Sequence, residues 1–562
     1  MFSTKQNVLQ TVALLKAHGI DHIVISPGSR NAPLAHCFNQ DPFFRCFSIV
    51  DERSAGYFAI GMMDKLQRPV ALCCTSGSAI LNYGPAVAEA YYRELPLVVI
   101  SADRTPSWIG QMDGQTIPQQ GAYGNLVRKS VQLPEIHSEE DLWYCNRLIN
   151  EALIECNRNA AGPVHINIPI SEPLFNFTEE ALPKVRQIQS FSGKKLANMS
   201  DFSQRWNASE KTIILVGQMP VNKALTALLE NLAAKEDCVV LCEHLANSSS
   251  PHFIGNFDTL LTSVPDVDAL IPDLLITLGG HVVSKKIKTL FRQHPPKHHW
   301  QIAPSGVCVD TFQCLTDLIE TDALSFFSEL EIMGFKNRSS KNNEFVHCWK
   351  NASSEVQLPD KDLNFSDITV VGAFLKVLPS HSSLFVGNSS SVRNIQFFPL
   401  PDGVSVFCNR GTNGIEGSIS TASGYAALHE GLTFLVVGDL SFFYDLNGLW
   451  NKYFSGNLRI LLINNGGGGI FHLLPGLEQS NALNPFIAAQ HDFTAEKWIY
   501  AAGFDYLKAS NETELHQTLP AFVASESLKP IVLELFTSVE VNKSVSNLYY
   551  QKLKKNRNDV NR

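Results

Sequence analysis

Short apolar runs rich in β-branched residues alternate along this chain with helix-sized segments of mixed polarity. Such alternation is typical of βαβ units around a parallel sheet. The runs form three series, at 22–26, 70–75, 96–101 and 164–169, at 212–217, 238–243, 273–280 and 298–303, and at 383–389, 405–410, 433–441, 459–465 and 530–536. We therefore predict an α/β protein of three consecutive α/β domains with mainly parallel sheets.

The segments between the three series indicate the domain boundaries. Residues 172–195 are rich in proline and charge, as in a linker, and residues 336–343 are too polar to pack in a core. We expect domains at 1–180, 200–345 and 365–545. The last twelve residues, 551–562, are interpreted as a solvated charged tail.

Composition narrows the class of protein. A chain of 562 residues can bury several cores, and its 44% hydrophobic and 18% charged residues fit a compact soluble enzyme. The net charge of -9 disfavours a nucleic-acid partner, whose binding surface would be basic. Without an 18-residue apolar run or a secretory leader, we expect a cytoplasmic protein and no membrane partner. The twelve cysteines contain no CxxC pair and are expected to be buried, reduced thiols.

The most specific local pattern lies in the third series. Gly438-Asp439 ends one apolar run, and Asn464-Asn465 ends the next after 24 intervening residues. Because carboxyl ends of parallel strands meet at one sheet edge, these side chains should lie together. A carboxylate, an amide oxygen and a carbonyl suit Mg²⁺ holding a diphosphate, and glycines 466–469 would let backbone approach that ligand closely. Two ordinary strand-end turns would give the same pattern, whereas the spacing does not fit a dinucleotide fingerprint.

A pair of acidic residues follows the apolar residues 47–50. Asp51 and Glu52 should stand at a strand end and at the start of a helix. Taken alone, such acids are ordinary helix caps.

Six motifs carry a family resemblance: ISPGSRNAPL (25–34), SADRTP (101–106), GNSSSVR (387–393), NRGTNGIEG (409–417), GDLSFFYDLN (438–447) and NNGGGGIFHLLP (464–475). Together they resemble the 2-succinyl-5-enolpyruvyl-6-hydroxy-3-cyclohexene-1-carboxylate synthases, thiamine-diphosphate enzymes of menaquinone or phylloquinone biosynthesis. The resemblance implies the thiamine-diphosphate-enzyme fold, with a pyrimidine-binding first domain and a diphosphate-binding third domain. It also implies a homodimer or homotetramer whose sites lie between two subunits.

The implied reaction is decarboxylation of 2-oxoglutarate and conjugate addition of the resulting succinyl carbanion to isochorismate. The implied cofactors are thiamine diphosphate and Mg²⁺ or Mn²⁺. An open alternative is another thiamine-diphosphate 2-oxo acid decarboxylase or carboligase. A catalytically silent protein on the same fold is disfavoured because it would be expected to lack the acid at position 52.

By the resemblance, Asp439, Asn465 and the carbonyl of Gly467 bind the metal, and Glu52 contacts the N1′ atom of the cofactor. The remaining cofactor contacts are assigned to Ile415, Leu440, Ser441, Ile470 and Phe471. The substrate pocket is assigned to Ser29, Arg30, Arg104, Gln115, Lys285, Ser389, Arg393, Arg410, Phe471 and Leu474, and Lys286 could exchange roles with Lys285.

Both implied substrates are dianions, so the pocket needs several cations although the chain is acidic. Arginine suits this task because its planar fork binds a carboxylate bidentately. We expect Arg393 and Arg410 to act on 2-oxoglutarate. The second substrate is then left to Arg30, Arg104 and Lys285.

Overall fold

Three parallel sheets follow one another along the chain in the computed structural model, as the strand pattern predicts. The structure describes residues 1–191, 198–264, 267–334, 340–360 and 362–559. Apart from one short antiparallel pair, every paired strand runs parallel to its neighbours among these residues.

The first sheet has six strands in the order β3-β2-β4-β5-β7-β6, and β1 pairs with β8 beside it. Its elements are β1 (Phe2–Ser3), α1 (Gln6–Ala17), β2 (His22–Ile25), α2 (Ala32–Gln40), β3 (Arg45–Ser48), α3 (Glu52–Leu66), β4 (Val70–Cys74), α4 (Ala79–Asn82), α5 (Gly84–Tyr92), β5 (Leu97–Asp103), β6 (Lys129–Gln132), α6 (Glu139–Asn157), β7 (Val164–Pro169) and β8 (Phe177–Glu179).

The middle sheet has five strands in the order β10-β9-β11-β12-β13. Its elements are α7 (Met199–Ala208), β9 (Thr212–Val216), α8 (Lys223–Ala234), β10 (Val239–Cys242), α9 (Phe257–Ser263), β11 (Leu274–Leu278), α10 (Lys285–Gln293), β12 (His298–Ile302), β13 (Asp317–Ile319), α11 (Ala323–Ile332) and α12 (Ser340–Ser354). Phe345 and Trp349 of α12 pack into the core on one face of this sheet.

The third sheet has six strands in the order β15-β14-β16-β17-β19-β18, which repeats the strand order of the first sheet. Its elements are α13 (Asp367–Val377), β14 (Ser383–Val386), α14 (Ser390–Asn394), β15 (Ser405–Phe407), α15 (Ser418–Ala426), β16 (Thr433–Gly438), α16 (Asp439–Tyr444), β17 (Leu458–Asn464), α17 (Glu496–Ala501), β18 (Asp505–Ala509), α18 (Glu512–Val523), β19 (Ile531–Phe536) and α19 (Val539–Asp559).

Each sheet carries an apolar core on both faces, which explains the continuous apolar runs of its central strands. The first and third domains pack directly through α3 and α15. Two glycines permit this close crossing. A Cβ on Gly61 would lie 1.8 Å from the carbonyl oxygen of Thr421, and a Cβ on Gly424 would lie 1.9 Å from that of Phe58.

Two expectations need correction, namely that the cysteines are buried and that the C-terminal tail is a solvated run. The predicted polar connection falls partly outside the described residues. All twelve cysteines are free, but Cys308 and Cys348 are exposed because they lie in a connecting segment and on the outer face of α12. The C-terminal tail is helical to residue 559 and its Leu553 is buried, so its described part is not simply a solvated run. Residues 336–339 of the predicted connection and residues 560–562 lie outside the described residues. The domain boundaries stay predictions.

Candidate active site

The loop after β17 is organised around one buried carboxylate at the end of β16. Asp439 is 2% exposed, and its Oδ2 accepts the backbone N–H groups of Asn465 (3.0 Å), Gly466 (2.8 Å) and Gly467 (2.9 Å). Glycine is required in this loop, because Gly466 and Gly467 have φ of 79° and 146°. The prediction that the two strand ends meet is thus confirmed by the parallel pairing of β16 with β17.

One oxygen in this loop is suited to a cation. The Nδ2 of Asn465 donates to Asp367 at 3.0 Å, while its Oδ1 is buried with no hydrogen-bond partner in the described chain. A buried acceptor without a donor is costly unless a ligand satisfies it. Burial also raises the pKa of Asp439, and a nearby cation would offset that cost. An amide oxygen, a carboxylate and the carbonyl of Gly467 are ligands that fit a hard divalent ion.

Leu440 and Ser441 follow Asp439 on α16 and connect it to the loop that carries Ile415. The Ser441 hydroxyl donates to the carbonyl oxygen of Ile415 and lies 3.1 Å from the hydroxyl of Ser418. The side chain of Ile415 is 39% exposed, which is high for an apolar residue beside a buried carboxylate site. It is therefore free to contact a ligand.

Glu52 is the first residue of α3, as expected. Asp51 caps the helix by accepting the N–H of Ser54 at 3.2 Å. Glu52 itself is half-buried, and burial raises its pKa above the ordinary value of 4.5. A carboxyl group whose protonated form is favoured by burial is suited to exchange a proton with a bound ligand.

Two cations lie at the junction of the middle and third domains. Arg410 is 7% exposed, and its Nη1 donates to Asn388 Oδ1 at 2.9 Å while its Nε has no partner in the described chain. Arg393 donates to the carbonyl oxygen of Ser389 at 2.6 Å. Burial, with the charge of Arg410, lowers the pKa of Arg393. An anion bound here would offset both the burial of the Arg393 charge and its repulsion by Arg410.

Lys285 and Lys286 differ in their contacts. Lys286 pairs with Asp258 at 3.2 Å, whereas no hydrogen bond or ion pair of the exposed Lys285 side chain occurs within the described residues. Both lysines line a cavity of about 130 Å³ with Arg393, near the C-terminal helix. Within one chain, Lys285 thus lies beside Arg393. Its role stays a prediction.

The first-domain residues meet at the carboxyl ends of β2, β4 and β5. Arg30 is buried and bonds the carbonyl of Ile170 and the carboxylate of Glu172, each at 2.9 Å. Arg104 pairs with Asp113 at 2.9 Å and bonds the carbonyl of Gly114 at 3.0 Å. Both arginines are thus held by acidic partners that an incoming anion would compete with.

The remaining predicted pocket residues are accessible. Ser29 and Gln115 are exposed, and Gln115 has φ of 58° where it packs against Gly77. Ile470 and Phe471 are half-buried in a 3₁₀ turn at Gly469–Leu473, and Leu474 after it is 42% exposed. These apolar side chains lie in the loop that follows Gly466 and Gly467.

Comparison with known proteins matches the chain to one family. Residues 9–124 match the model described as the thiamine pyrophosphate enzyme N-terminal TPP binding domain, and residues 171–386 match the middle domain of thiamine pyrophosphate enzymes. A 2-succinyl-5-enolpyruvyl-6-hydroxy-3-cyclohexene-1-carboxylate synthase of Bacteroides fragilis is 47% identical over 561 residues, covering 99% of this chain and 100% of the relative. The chain belongs to this synthase family.

Two further relatives of the same name extend the comparison. The synthase of Flavobacterium psychrophilum is 40% identical, covering 96% of this chain and 98% of its own. That of Porphyromonas gingivalis is 35% identical, covering 100% and 99%. Membership of the synthase family therefore rests on the whole chain and not on the loop motifs alone.

Two residues that contact the predicted site residues or their loop were missed by sequence reasoning. Glu89 is fully buried and accepts the N–H groups of Gly411 (2.9 Å) and Thr412 (2.7 Å), so it anchors the loop between Arg410 and Ile415. The Nε2 of His491 lies 3.6 Å from Asp439 Oδ2. Neither residue lies in a motif, and each reaches the site only through tertiary packing.

Proposed function

We propose that this chain decarboxylates 2-oxoglutarate with thiamine diphosphate and transfers the four-carbon fragment to isochorismate by conjugate addition. The products would be 2-succinyl-5-enolpyruvyl-6-hydroxy-3-cyclohexene-1-carboxylate and CO₂, in menaquinone biosynthesis. The observation that carries the proposal is the unpartnered Asn465 oxygen beside the loop-bound Asp439 carboxylate, in a chain related over its full length to synthases of that name.

At the diphosphate end, Asp439, the Oδ1 of Asn465 and the carbonyl of Gly467 would hold Mg²⁺ or Mn²⁺. When bound, thiamine diphosphate supplies a nucleophilic carbon and an electron sink for decarboxylation. Glu52 would share a proton with the N1′ atom of the aminopyrimidine. Ile415 would orient the cofactor with its exposed apolar side chain.

Charged residues would bind and separate the two substrates. We assign Arg393, Arg410 and Lys285 to the carboxylates of 2-oxoglutarate, because Lys285 shares a cavity with Arg393. Ser29, Arg30, Arg104 and Gln115 are assigned to isochorismate, and Ser389 supports Arg393 through its carbonyl. Ile470, Phe471 and Leu474 would exclude water from the reacting carbon.

The active unit would be a homodimer, or a homotetramer made of two such dimers, with each site built from two chains. Apolar side chains near Glu52 support a partner surface, since Val50 is 41% and Leu81 is 53% exposed. Within one chain, the residues that flank Glu52 contact the far end of α16 and the turn after it: Asp51 accepts from Asn447 at 2.7 Å and Arg53 donates to the carbonyl of Tyr444 at 2.7 Å. We propose that Glu52 of a second chain faces the beginning of α16, where Asp439 lies.

No helix in the described residues has the length and apolarity needed to span a membrane. We propose a cytoplasmic location, which the twelve free thiols support because a reducing compartment keeps cysteines unpaired.

Product analysis tests the function directly. The protein is incubated with thiamine diphosphate, Mg²⁺, 2-oxoglutarate and isochorismate, and parallel reactions contain pyruvate in place of 2-oxoglutarate or Mn²⁺ in place of Mg²⁺. We expect the succinyl adduct from 2-oxoglutarate and little reaction of pyruvate, which lacks the second carboxylate. Faster turnover of pyruvate would favour the alternative, a different 2-oxo acid decarboxylase or carboligase.

A further inference from the structure

Asp367 contacts the metal loop although it lies 98 residues before Asn465 in the chain. It is the first residue of α13 and is 7% exposed. Its Oδ2 accepts the Nδ2 of Asn465 at 3.0 Å. Its Oδ1 accepts the hydroxyl of Thr537 at 2.6 Å and the Nδ2 of Asn542 at 2.8 Å. Three donors therefore converge on one buried carboxylate.

The chemistry of this contact determines which end of the Asn465 amide faces the metal site. A carboxylate only accepts hydrogen bonds, so the amide must present its NH₂ group to Asp367. The amide oxygen then points away from Asp367, and it is the atom that is buried with no hydrogen-bond partner among the described residues. If the amide were reversed, two acceptors would meet at Asp367 and an NH₂ group would face the cation.

We propose that Asp367 is a positioning residue that holds the Asn465 amide with its oxygen toward the divalent metal. This inference rests on the proposed function, because it assumes the metal site of Asp439 and Asn465. Residues that orient metal ligands typically change metal affinity by about 10- to 100-fold when they are substituted.

The competing explanation is that Asp367 only stabilises the start of α13 and its contact with α19. Thr537 provides the matched control, because its hydroxyl bonds the other oxygen of the same carboxylate and has no hydrogen bond to Asn465 in the described residues. Thr537→Val removes that structural contact and leaves the Asn465 contact in place. An effect of Asp367 that is merely structural should therefore appear in both variants.

The experiment measures the Mg²⁺ affinity of the full-length protein by calorimetry at saturating thiamine diphosphate, with thermal unfolding of each variant. In Asp367→Ala, no carboxylate remains to accept the Asn465 Nδ2, so nothing at this position holds the amide oxygen toward the metal. We expect about 10- to 100-fold weaker Mg²⁺ binding, against less than about threefold for Thr537→Val. In the exchange variant Asp367→Asn/Asn465→Asp, the new amide donates to the new carboxylate and an oxygen again faces the metal. Most of the lost affinity should return.

Three results would overturn the inference: near-normal Mg²⁺ affinity in Asp367→Ala, an equal loss in Thr537→Val, or a folded exchange variant that binds Mg²⁺ as weakly as Asp367→Ala. Asp439→Ala is measured in parallel. If it bound Mg²⁺ as well as the unsubstituted protein, the metal site itself would be wrong and the inference would fall with it. If only Asp439→Ala lost affinity, the metal site would stand and the role of Asp367 would not.

Discussion

At the scale of single residues, Glu52 has a proposed role at the cofactor and also carries a cost to stability. Burial raises its pKa above 4.5, so its ionised form is disfavoured in the folded protein. Glu52→Gln keeps the shape but cannot exchange a proton with the cofactor. We expect carboligation to fall about 100- to 10,000-fold, measured by product formation at saturating thiamine diphosphate. Near-normal turnover would remove Glu52 from the mechanism.

The raised pKa of Glu52 also predicts how the stability of Glu52→Gln depends on pH. Because the folded-state pKa of Glu52 is raised, its favourable contribution exists at low pH, where it is protonated, and is lost as pH rises through that pKa. Without cofactor, Glu52→Gln should therefore unfold at a higher temperature than the unsubstituted protein at pH 7. The difference should disappear below about pH 4. A Gln variant less stable at pH 7 would contradict this assignment of the pKa shift.

Lys285 and Lys286 provide a matched pair on one helix. Lys286 is committed to Asp258, whereas Lys285 is exposed beside Arg393. Removing a charge that meets a desolvated carboxylate costs about 2–5 kcal/mol, so Lys285→Ala should raise the 2-oxoglutarate requirement at least about 30-fold. Lys286→Ala should change it little. Steady-state kinetics of both variants decide between the lysines, and equal effects would show that the contacts of Lys286 do not exclude it from the pocket.

At the scale of elements, the crossing of α3 and α15 joins the first domain, which carries Glu52, to the third domain, which carries Asp439. An alanine Cβ at Gly424 would lie 1.9 Å from the carbonyl oxygen of Phe58, so the helices must separate. Such overpacking costs about 1–3 kcal/mol, and Gly424→Ala should lower the unfolding temperature and the cofactor affinity together. Gly84→Ala on α5 is the control, because apart from its chain neighbours and its own helix no described residue lies within 4 Å of its Cβ position. Equal effects of the two substitutions would show that the crossing is not the cause.

Elements also show where sequence reasoning succeeds and fails. All thirteen runs became strands, and eleven of them are central parallel strands, which are buried on both faces, whereas β10 and β15 lie at sheet edges. The strands that were not predicted include β13 and β18, which lie at sheet edges and mix polar with apolar residues, so they have no continuous apolar run. Asp439 and Asn465 were predictable because they end such runs. Glu89 and Asp367 were not, because their contacts depend on how distant helices pack.

At the scale of the whole molecule, the first and third domains are topological copies. Their sheets share one strand order, and α3 and α15 follow equivalent strands. The copies place chemistry at corresponding strand ends, with Arg104 after β5 where the third domain has Asn465 after β17. By the proposed assignment, one copy would present cations to the acceptor, and the other would present ligands to a metal.

This division predicts that the two half-reactions can be separated. Arg393→Ala should slow CO₂ release even without isochorismate, whereas Arg104→Ala should leave that step intact and impair only transfer to the acceptor. Stopped-flow absorbance with and without isochorismate checks both steps. Equal blocking of the first step by the two variants would contradict the assignment of substrates to domains.

The last prediction concerns the assembly. If Glu52 of one chain completes the site that Asp439 begins in another, neither Glu52→Gln nor Asp439→Ala alone should be active, yet a heterodimer of the two has one intact site. An equal mixture with free subunit exchange should recover about a quarter of full activity, since half of the dimers are mixed and each has one working site of two. Activity is measured after exchange is verified by mass spectrometry of differently tagged chains, and the double variant mixed with itself is the control. Recovery would place the shared site between chains. A mixture that exchanges fully and stays inactive would mean that each chain builds its site alone, and the exposed apolar residues around Val50 would then need a different partner surface.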